Sequence, residues 1–205
     1  MTQRRILPYG QHARLLECAD LADSQAVHRW LDDQRPEQIA EIVPGARTLL
    51  LKLRSPLPDS LARTMIDIDL PPVETDDSET LRIPVRYHGV DLDHVSQLLG
   101  LSVPELIDHH TGQDWTVAFC GFAPGFGYLA PTVRSLPVPR GASPRTRVPA
   151  GSVALADQWS AIYPTDSPGG WQLIGSTDLR LFDANADPPA TLRPGLRVRF
   201  VEDHR

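Results

Sequence analysis

Four arginines lie in a segment of the chain that contains no acidic residue. Arg134, Arg140, Arg145 and Arg147 fall within residues 115–156, which hold no Asp or Glu, although the whole chain has a formal net charge of −6. The planar guanidinium of arginine matches a carboxylate or phosphate through paired hydrogen bonds. This pattern predicts an anion site around Arg145 and Arg147. The alternative is a solvated loop whose arginines pair with acids from elsewhere in the chain.

An aromatic segment precedes all four of these arginines. Residues 121–128 read GFAPGFGY, with a glycine spacing that fits neither a dinucleotide-binding turn nor a phosphate-binding P-loop. Proline and glycine stiffen and shape such a segment, so Phe126 and Tyr128 are candidates to line an apolar pocket. The alternative, favoured by the segment taken alone, is a strained turn that packs its aromatic rings into the core.

A pair of glycines, Gly169 and Gly170, stands directly before Trp171. Glycine tolerates positive φ and lets another group approach the backbone closely. Successive backbone amides in such a turn can bind an oxyanion. We therefore include these residues as candidates for an anion or substrate site, beside the simpler interpretation of a tight hairpin turn.

Several kinds of self-sufficient catalytic site are missing from the sequence. The single lysine, Lys52, lies in the run LLLKL, which predicts a buried strand, and no Gly-Lys-Ser/Thr P-loop, biotin-carrier lysine or Gly-x-Ser-x-Gly elbow occurs. His109 and His110 would point about 100° apart on a helix, so they do not suit one metal ion. We expect no metal and no biotin on this chain, and no catalytic residue can be assigned.

The first part of the chain predicts a small α+β domain. Short strands at residues 5–7, 13–17, 38–43 and 48–53 alternate with two amphipathic helices, a pattern compatible with a ferredoxin-like arrangement. Residues 69–80 contain two prolines and five acids and are predicted to form a solvated linker. The predicted domains are therefore 1–80 and 81–205.

The second part predicts two short helices followed by a β-rich domain. Gly100 would end the first helix, and Ser102 with Glu105 forms a capping box for the second. From residue 115 onward, short β-forming runs alternate with Pro and Gly turns, which is typical of an all-β barrel or sandwich.

Composition narrows the classes of protein further. The acidic balance argues against nucleic-acid binding. No apolar run approaches the ~18 residues of a membrane span, and the N-terminus has no apolar signal region, so a cytoplasmic location is expected. Cys18 and Cys120 lie far apart in the sequence and are predicted to be reduced.

Three sequence blocks resemble those of one known family. Residues 121–129 (GFAPGFGYL), 144–153 (PRTRVPAGSV) and 162–175, with IYP followed by SPGGWQLIG, occur in the family's order and spacing, and IPVRY at 83–87 also matches. The family is that of the 5-oxoprolinase B subunit, also called the KipI or allophanate-hydrolase-subunit-1 family. It is related to the carboxyltransferase domain of urea carboxylase, subdomains C and D.

The resemblance implies a fold, a reaction and partners. It implies an α+β domain followed by a cyclophilin-like β-barrel, in a complex with a C subunit of paired cyclophilin-like domains and with an A subunit. The complex would convert 5-oxoproline, ATP and water to glutamate, ADP and phosphate, with ATP bound in the complex. A groove lined by Phe126, Tyr128, Arg145, Arg147 and Trp171 would complete a site shared with the C subunit.

The resemblance leaves two other functions open. KipI-type members inhibit a sensor histidine kinase, so a kinase is an alternative partner. A urea-carboxylase or allophanate-type carboxyltransferase component is the second alternative, and it would depend on a biotinylated partner.

Overall fold

The computed structural model describes residues 4–73 and 80–204. By contacts, the chain divides into two compact units, Met1–Glu74 and Thr75–Arg205. Within the predicted linker, residues 69–73 have no regular secondary structure, and residues 74–79 lie outside the described residues. The domain bounds 1–80 and 81–205 stay predictions.

The first unit is a four-stranded antiparallel sheet with two helices. Its elements in chain order are β1 (Arg5–Pro8), β2 (Ala13–Glu17), α1 (Leu21–Gln34), β3 (Ile39–Pro44), β4 (Thr48–Leu53) and α2 (Asp59–Asp67). The strand order in the sheet is β1-β2-β4-β3. A ferredoxin-like unit runs β–α–β–β–α–β, whereas here two strands precede the first helix, so that finer assignment stays a prediction.

The core of the first unit explains its sequence pattern. Its fully buried side chains come from alternate strand positions and from one face of each helix, as the periods of strand and helix require: Leu16, Val27, Leu31, Leu49, Leu51 and Met65. The strand containing Lys52 is confirmed, and it is buried at Leu49 and Leu51 but not at Lys52. The Lys52 side chain is half exposed and pairs with Glu41 at 2.7 Å, because the residue alternates with the inward-facing Leu51.

The second unit carries two helices and most of the strands. Its elements are β5 (Thr80–Val85), α3 (Leu92–Leu99), α4 (Val103–Thr111), β6 (Trp115–Cys120), β7 (Gly127–Pro131), β8 (Arg145–Val148), β9 (Ser152–Ala156), β10 (Trp159–Ile162), β11 (Ser167–Gly169), β12 (Gln172–Ser176) and β13 (Arg197–Glu202). Seven strands form one sheet in the order β12-β9-β10-β7-β6-β13-β5, and β8 pairs with β11 in a separate ribbon. The predicted α+β class with a β-barrel is confirmed.

The large sheet is nearly closed into a barrel. Just after β5, Arg86 exchanges two backbone hydrogen bonds of 2.9 Å with Ser176 at the end of β12, so the two edge strands meet. Gly89 continues this seam by donating its N–H to the Ile174 carbonyl at 3.2 Å. A Cβ atom on Gly89 would lie 2.2 Å from the Leu173 carbonyl oxygen, so only glycine fits there.

The two helices begin and end where the sequence indicated. Gly100 caps α3 in the left-handed conformation at φ 66°. The Ser102 backbone N–H donates to the Glu105 carboxylate at 2.8 Å, and the Glu105 N–H donates back to the Ser102 hydroxyl at 3.4 Å. No helix among residues 4–73 and 80–204 is both long enough and apolar enough to span a membrane.

A polar network lies inside the barrel unit. His110 is fully buried, with Nδ1 2.6 Å from the Tyr87 hydroxyl and Nε2 2.9 Å from the Ser160 hydroxyl. Its ring stacks on Phe200 at a centroid distance of 4.2 Å. Burial lowers the pKa of His110 from its ordinary 6.5 to about 3, so the imidazole is neutral and both ring nitrogens are satisfied.

Candidate functional site

A groove of about 530 Å³ opens on the second unit. One wall is a single face of α3 with its N-cap, because Asp91, His94 and Leu98 are spaced three and four residues apart. The rest of the lining comes from residues 139–143 and from the first residues of two strands. The lining residues are Asp91, His94, Leu98, Pro139, Arg140, Gly141, Ala142, Ser143, Arg145 and Gln172.

Arg145 is held in the groove by a nearly buried carboxylate. Its Nη2 lies 2.6 Å from Oδ1 of Asp91, and its Nη1 donates to the Trp171 carbonyl at 3.3 Å. Asp91 is 9% exposed, and its other oxygen accepts the Leu173 backbone N–H at 2.7 Å. The charge of Arg145 is therefore already balanced within the protein.

Arg147 lies in a separate ion pair and does not line the groove. Its Nε and Nη2 lie 2.8 and 2.6 Å from the same oxygen of Asp166, and the Arg147 side chain is 76% exposed. The Ala150 backbone N–H donates to the other Asp166 oxygen at 2.9 Å. The Ala150 N–H and then the Arg147 guanidinium hold the pKa of Asp166 below its usual range. Arg147 thus helps to stabilise the turn that contains Asp166.

The loop that carries Arg140 is fixed on both sides. Before it, Val138 and Asp157 exchange two backbone hydrogen bonds of 2.9 and 2.6 Å. After it, the Gly141 N–H donates to the Gly170 carbonyl at 2.8 Å. The backbone at Arg140 is therefore held in place at the edge of the groove.

Arg140 itself has no ion pair or hydrogen bond to its side chain among residues 4–73 and 80–204. Its residue is exposed, and its backbone neighbour Pro139 accepts a hydrogen bond from Gln172 Nε2 at 3.1 Å. Asp91, the one carboxylate in the groove lining, is occupied by Arg145. The groove therefore carries one positive charge in excess.

Phe126 is the centre of an aromatic cluster. Its ring is 2% exposed, and four other rings stand tilted or edge-on to it at centroid distances of 5.1 to 5.7 Å. Those rings belong to Phe122, Tyr128, Tyr163 and Trp171. Edge-to-face contacts of this kind stabilise a cluster beyond the area that they bury.

The segment before Phe126 forms a tight turn rather than a pocket wall. The Gly121 N–H donates to the Phe126 carbonyl at 3.1 Å, and Phe122 and Gly125 have φ values of 70° and 82°. A Cβ atom on Gly125 would lie 2.8 Å from Cβ of Phe182, which explains the glycine. The turn buries Phe126 but leaves Phe122 60% exposed.

Two tyrosines of the aromatic cluster have raised pKa values. Burial raises the pKa of both Tyr128 and Tyr163, so both hydroxyls keep their protons at neutral pH. A Cβ atom on Gly169 would lie 2.3 Å from the Tyr163 hydroxyl oxygen, so the glycine permits the close approach of this side chain.

The residues predicted from the sequence lie in different parts of the second unit and have different roles there. Arg145 lines the groove, and Arg147 lies apart from it. Phe126, Tyr128 and Trp171 belong to the aromatic cluster. Gly169 permits the close approach of Tyr163, and Gly170 accepts a hydrogen bond from the Arg140 loop. Their role in binding stays a prediction. Within the described part of the chain, no group of three or more His, Cys, Asp or Glu side chains could hold a metal ion.

Of the ten residues that line the groove, only Arg145 was selected from the sequence, and Arg140 was noted without being selected. Of the others, only Arg140 carried a signal, because it lies in the segment without acids. Asp91 lies 54 residues before its partner Arg145, and no local pattern indicates such a pairing.

Comparison with known proteins agrees with these blocks and this fold. The chain is 40% identical over 171 residues to the B subunit of 5-oxoprolinase from Escherichia coli, which covers 80% of this chain and 78% of that protein. It is 45% identical to the B subunit of 5-oxoprolinase from Bacillus subtilis over 59% of this chain and 52% of that protein. The crystal structure of TTHA0988 superposes with a TM-score of 0.78 at 33% identity, covering 95% of this chain and 40% of that chain.

The chain thus spans less than two thirds of two of these three proteins. The model of one family, described as carboxyltransferase domain, subdomain C and D, matches residues 4–192, which is most of the chain. This protein therefore belongs to the family of the carboxyltransferase domain, subdomain C and D.

Proposed function

We propose that this chain is the B subunit of an ATP-dependent 5-oxoprolinase. The complex would convert 5-oxoproline, ATP and water to glutamate, ADP and phosphate. The observation that carries the proposal is the 40% identity to a curated B subunit of 5-oxoprolinase across 80% of the chain. A relative of that similarity and extent supports a shared function more strongly than likeness of fold does.

The residues of this chain fit a protein that works with others. Its single lysine, Lys52, lies in the first unit and pairs with Glu41, so no lysine is available to hold ATP phosphates. A lysine-based phosphate site and the bond-breaking step are therefore assigned to the partners, which are the A subunit and the C subunit with its paired cyclophilin-like domains. A cytoplasmic location for the complex stays part of this proposal.

The groove is the proposed contribution of this chain to the site shared with the C subunit. Its positive charge in excess suits the carboxylate of 5-oxoproline or the phosphates of ATP. The aromatic cluster supports the groove from within, because the carbonyl of its Trp171 accepts a hydrogen bond from Arg145. These are the features of a site that binds and orients an anionic substrate.

Reconstitution tests this proposal directly. The A and C subunits from the same source are assayed for glutamate released from 5-oxoproline and for ADP formed from ATP, with and without this chain. We expect glutamate release only when the chain is present, with ADP and glutamate formed together. Full activity of the two partners alone would contradict the proposal.

The same assay separates the two alternative functions. Activity that avidin abolishes would indicate a carboxyltransferase component with a biotinylated partner. No glutamate release in any mixture, together with inhibition of a purified histidine kinase, would favour the kinase-inhibitor function. No contact or charge among the described residues favours either alternative over the 5-oxoprolinase function.

A further inference from the structure

We propose that Arg140, rather than Arg145 or Arg147, holds a small oxyanion at the edge of the groove. The ligand chemistry is a carboxylate or a phosphate. Its identification with the carboxylate of 5-oxoproline or a phosphate of ATP rests on the proposed function. The oxyanion site itself rests on the contacts within this chain.

Arg140 differs from the other two arginines in having no carboxylate partner within the part of the chain that the structure describes. Arg145 is bound to Asp91 at 2.6 Å, and Arg147 is bound to Asp166 at 2.6 Å. An anion that approached Arg145 would have to displace Asp91 or bear its repulsion. Arg140 lines the same groove, and no carboxylate pairs with it among the described residues.

The backbone at Arg140 is already arranged for binding. Hydrogen bonds on both sides of the residue, Val138 with Asp157 and Gly141 with Gly170, fix the loop without using the side chain. A binding group on a fixed backbone loses less conformational freedom when its ligand arrives. An arginine that is only exposed to solvent would not need its backbone to be fixed in this way.

A titration of the full-length chain tests the site without the partner subunits. Chemical-shift changes are followed for the wild type, Arg140→Gln and Arg147→Gln as 5-oxoproline, inorganic phosphate or 2-pyrrolidinone is added. The last compound has the same lactam ring without the carboxylate. Arg82→Gln is the matched control, because Arg82 is another exposed arginine of the second unit and lies on β5, outside the groove lining.

We expect the wild type, Arg82→Gln and Arg147→Gln to bind 5-oxoproline or phosphate alike, and Arg140→Gln to bind at least about tenfold more weakly. Tighter binding of 5-oxoproline than of phosphate assigns the site to a carboxylate, and the reverse order assigns it to a phosphate. Equal binding of 2-pyrrolidinone, loss of binding in Arg147→Gln instead of Arg140→Gln, or no binding by the wild type would overturn the proposal.

Kinetics of the reconstituted complex separate this proposal from the proposed function. We expect Arg140→Gln to raise the KM for 5-oxoproline or for ATP by about tenfold or more. An active complex with an unchanged KM for both would overturn the Arg140 site and leave the proposed function standing. An inactive wild-type complex, with anion binding that still depends on Arg140, would overturn the function and leave the site standing.

Discussion

Two polar regions of the second unit differ in how their groups are satisfied. Inside the barrel, His110 has hydrogen bonds to Tyr87 and Ser160 and is fully buried. In the groove, Arg140 is exposed and has no partner among the described residues, although the backbone on both sides of it is fixed. The buried region is complete without a ligand, and the exposed one is not.

This difference distinguishes residues that stabilise the fold from residues that are available to bind a ligand. A buried polar group must be paired, because an unpaired one costs the free energy of its lost hydration. An exposed cation stays hydrated and can exchange that water for a ligand. Changes in the interior should therefore appear as lost stability, and changes at Arg140 as lost binding.

The largest effect is expected from His110→Ala. The substitution leaves a cavity beside Phe200 and removes the partner of two buried hydroxyls, so the free energy of unfolding should fall by about 3 kcal/mol or more. Urea unfolding measures this free energy. His109→Ala is the control, since His109 is only partly buried, and its free energy of unfolding should fall by less than about 1 kcal/mol. Equal losses in the two variants would show that the network contributes no stability.

The pH dependence of stability should report the same histidine. Burial lowers the pKa of His110 to about 3, so between pH 6.5 and 3 the unfolded chain binds a proton that the folded chain excludes. Stability from this group is fully present above pH 6.5 and is lost as the pH falls. Between pH 7 and pH 5 the loss should be about 2 kcal/mol.

The measurement is urea unfolding at the two pH values for the wild type and His110→Gln. Because other groups also titrate, the difference between the two proteins isolates the histidine. An identical pH dependence in both would contradict the assignment of a neutral, buried His110.

Asp91→Asn should sharpen the contrast, because it leaves Arg145 without its carboxylate partner, so that the groove holds two unpaired arginines instead of one. The amide oxygen can still accept the Leu173 N–H, but the carboxylate that neutralises Arg145 is gone. We expect a loss of about 1 kcal/mol in stability, because the pair is partly exposed, and severalfold tighter binding of inorganic phosphate. Urea unfolding and phosphate titration measure the two effects, and weaker phosphate binding would contradict the account.

The smallest effect is expected from Arg147→Gln. The Arg147 side chain is mostly exposed, and Asp166 keeps its hydrogen bond from the Ala150 N–H when the arginine is gone. The free energy of unfolding should change by less than about 1 kcal/mol, as for other exposed ion pairs. Unfolding curves measured at low and high salt check this, and a larger loss would mean that the turn depends on the ion pair.

Local patterns predicted much of the fold. The bounds of β2 and β4 follow from runs of β-forming residues between turn residues, and the caps of α3 and α4 follow from Gly100 and the Ser102 capping box. The short strands β8 and β11 were missed. They contain Arg145–Val148 and Ser167–Gly169, whose prolines, glycines and charges resemble a loop, and only their pairing with each other makes them strands.

The candidate site was predicted less completely, for a related reason. The segment without acids indicated an excess of positive charge, but not which arginine keeps it. That depends on Asp91 and Asp166, which lie 54 and 19 residues from their partners and meet them only through the fold. Gly169 was predicted as a site for an oxyanion, whereas its small size also serves the close approach of the Tyr163 hydroxyl.

The most direct test of the division between a structural interior and a functional groove is a paired measurement on Arg140→Gln. The free energy of unfolding of the chain and the KM values of the reconstituted complex for 5-oxoproline and ATP are compared with the wild type. We expect a stability within about 0.5 kcal/mol of that of the wild type and one KM raised about tenfold or more. Wild-type KM values for both, or a loss of stability as large as that of His110→Ala, would contradict it.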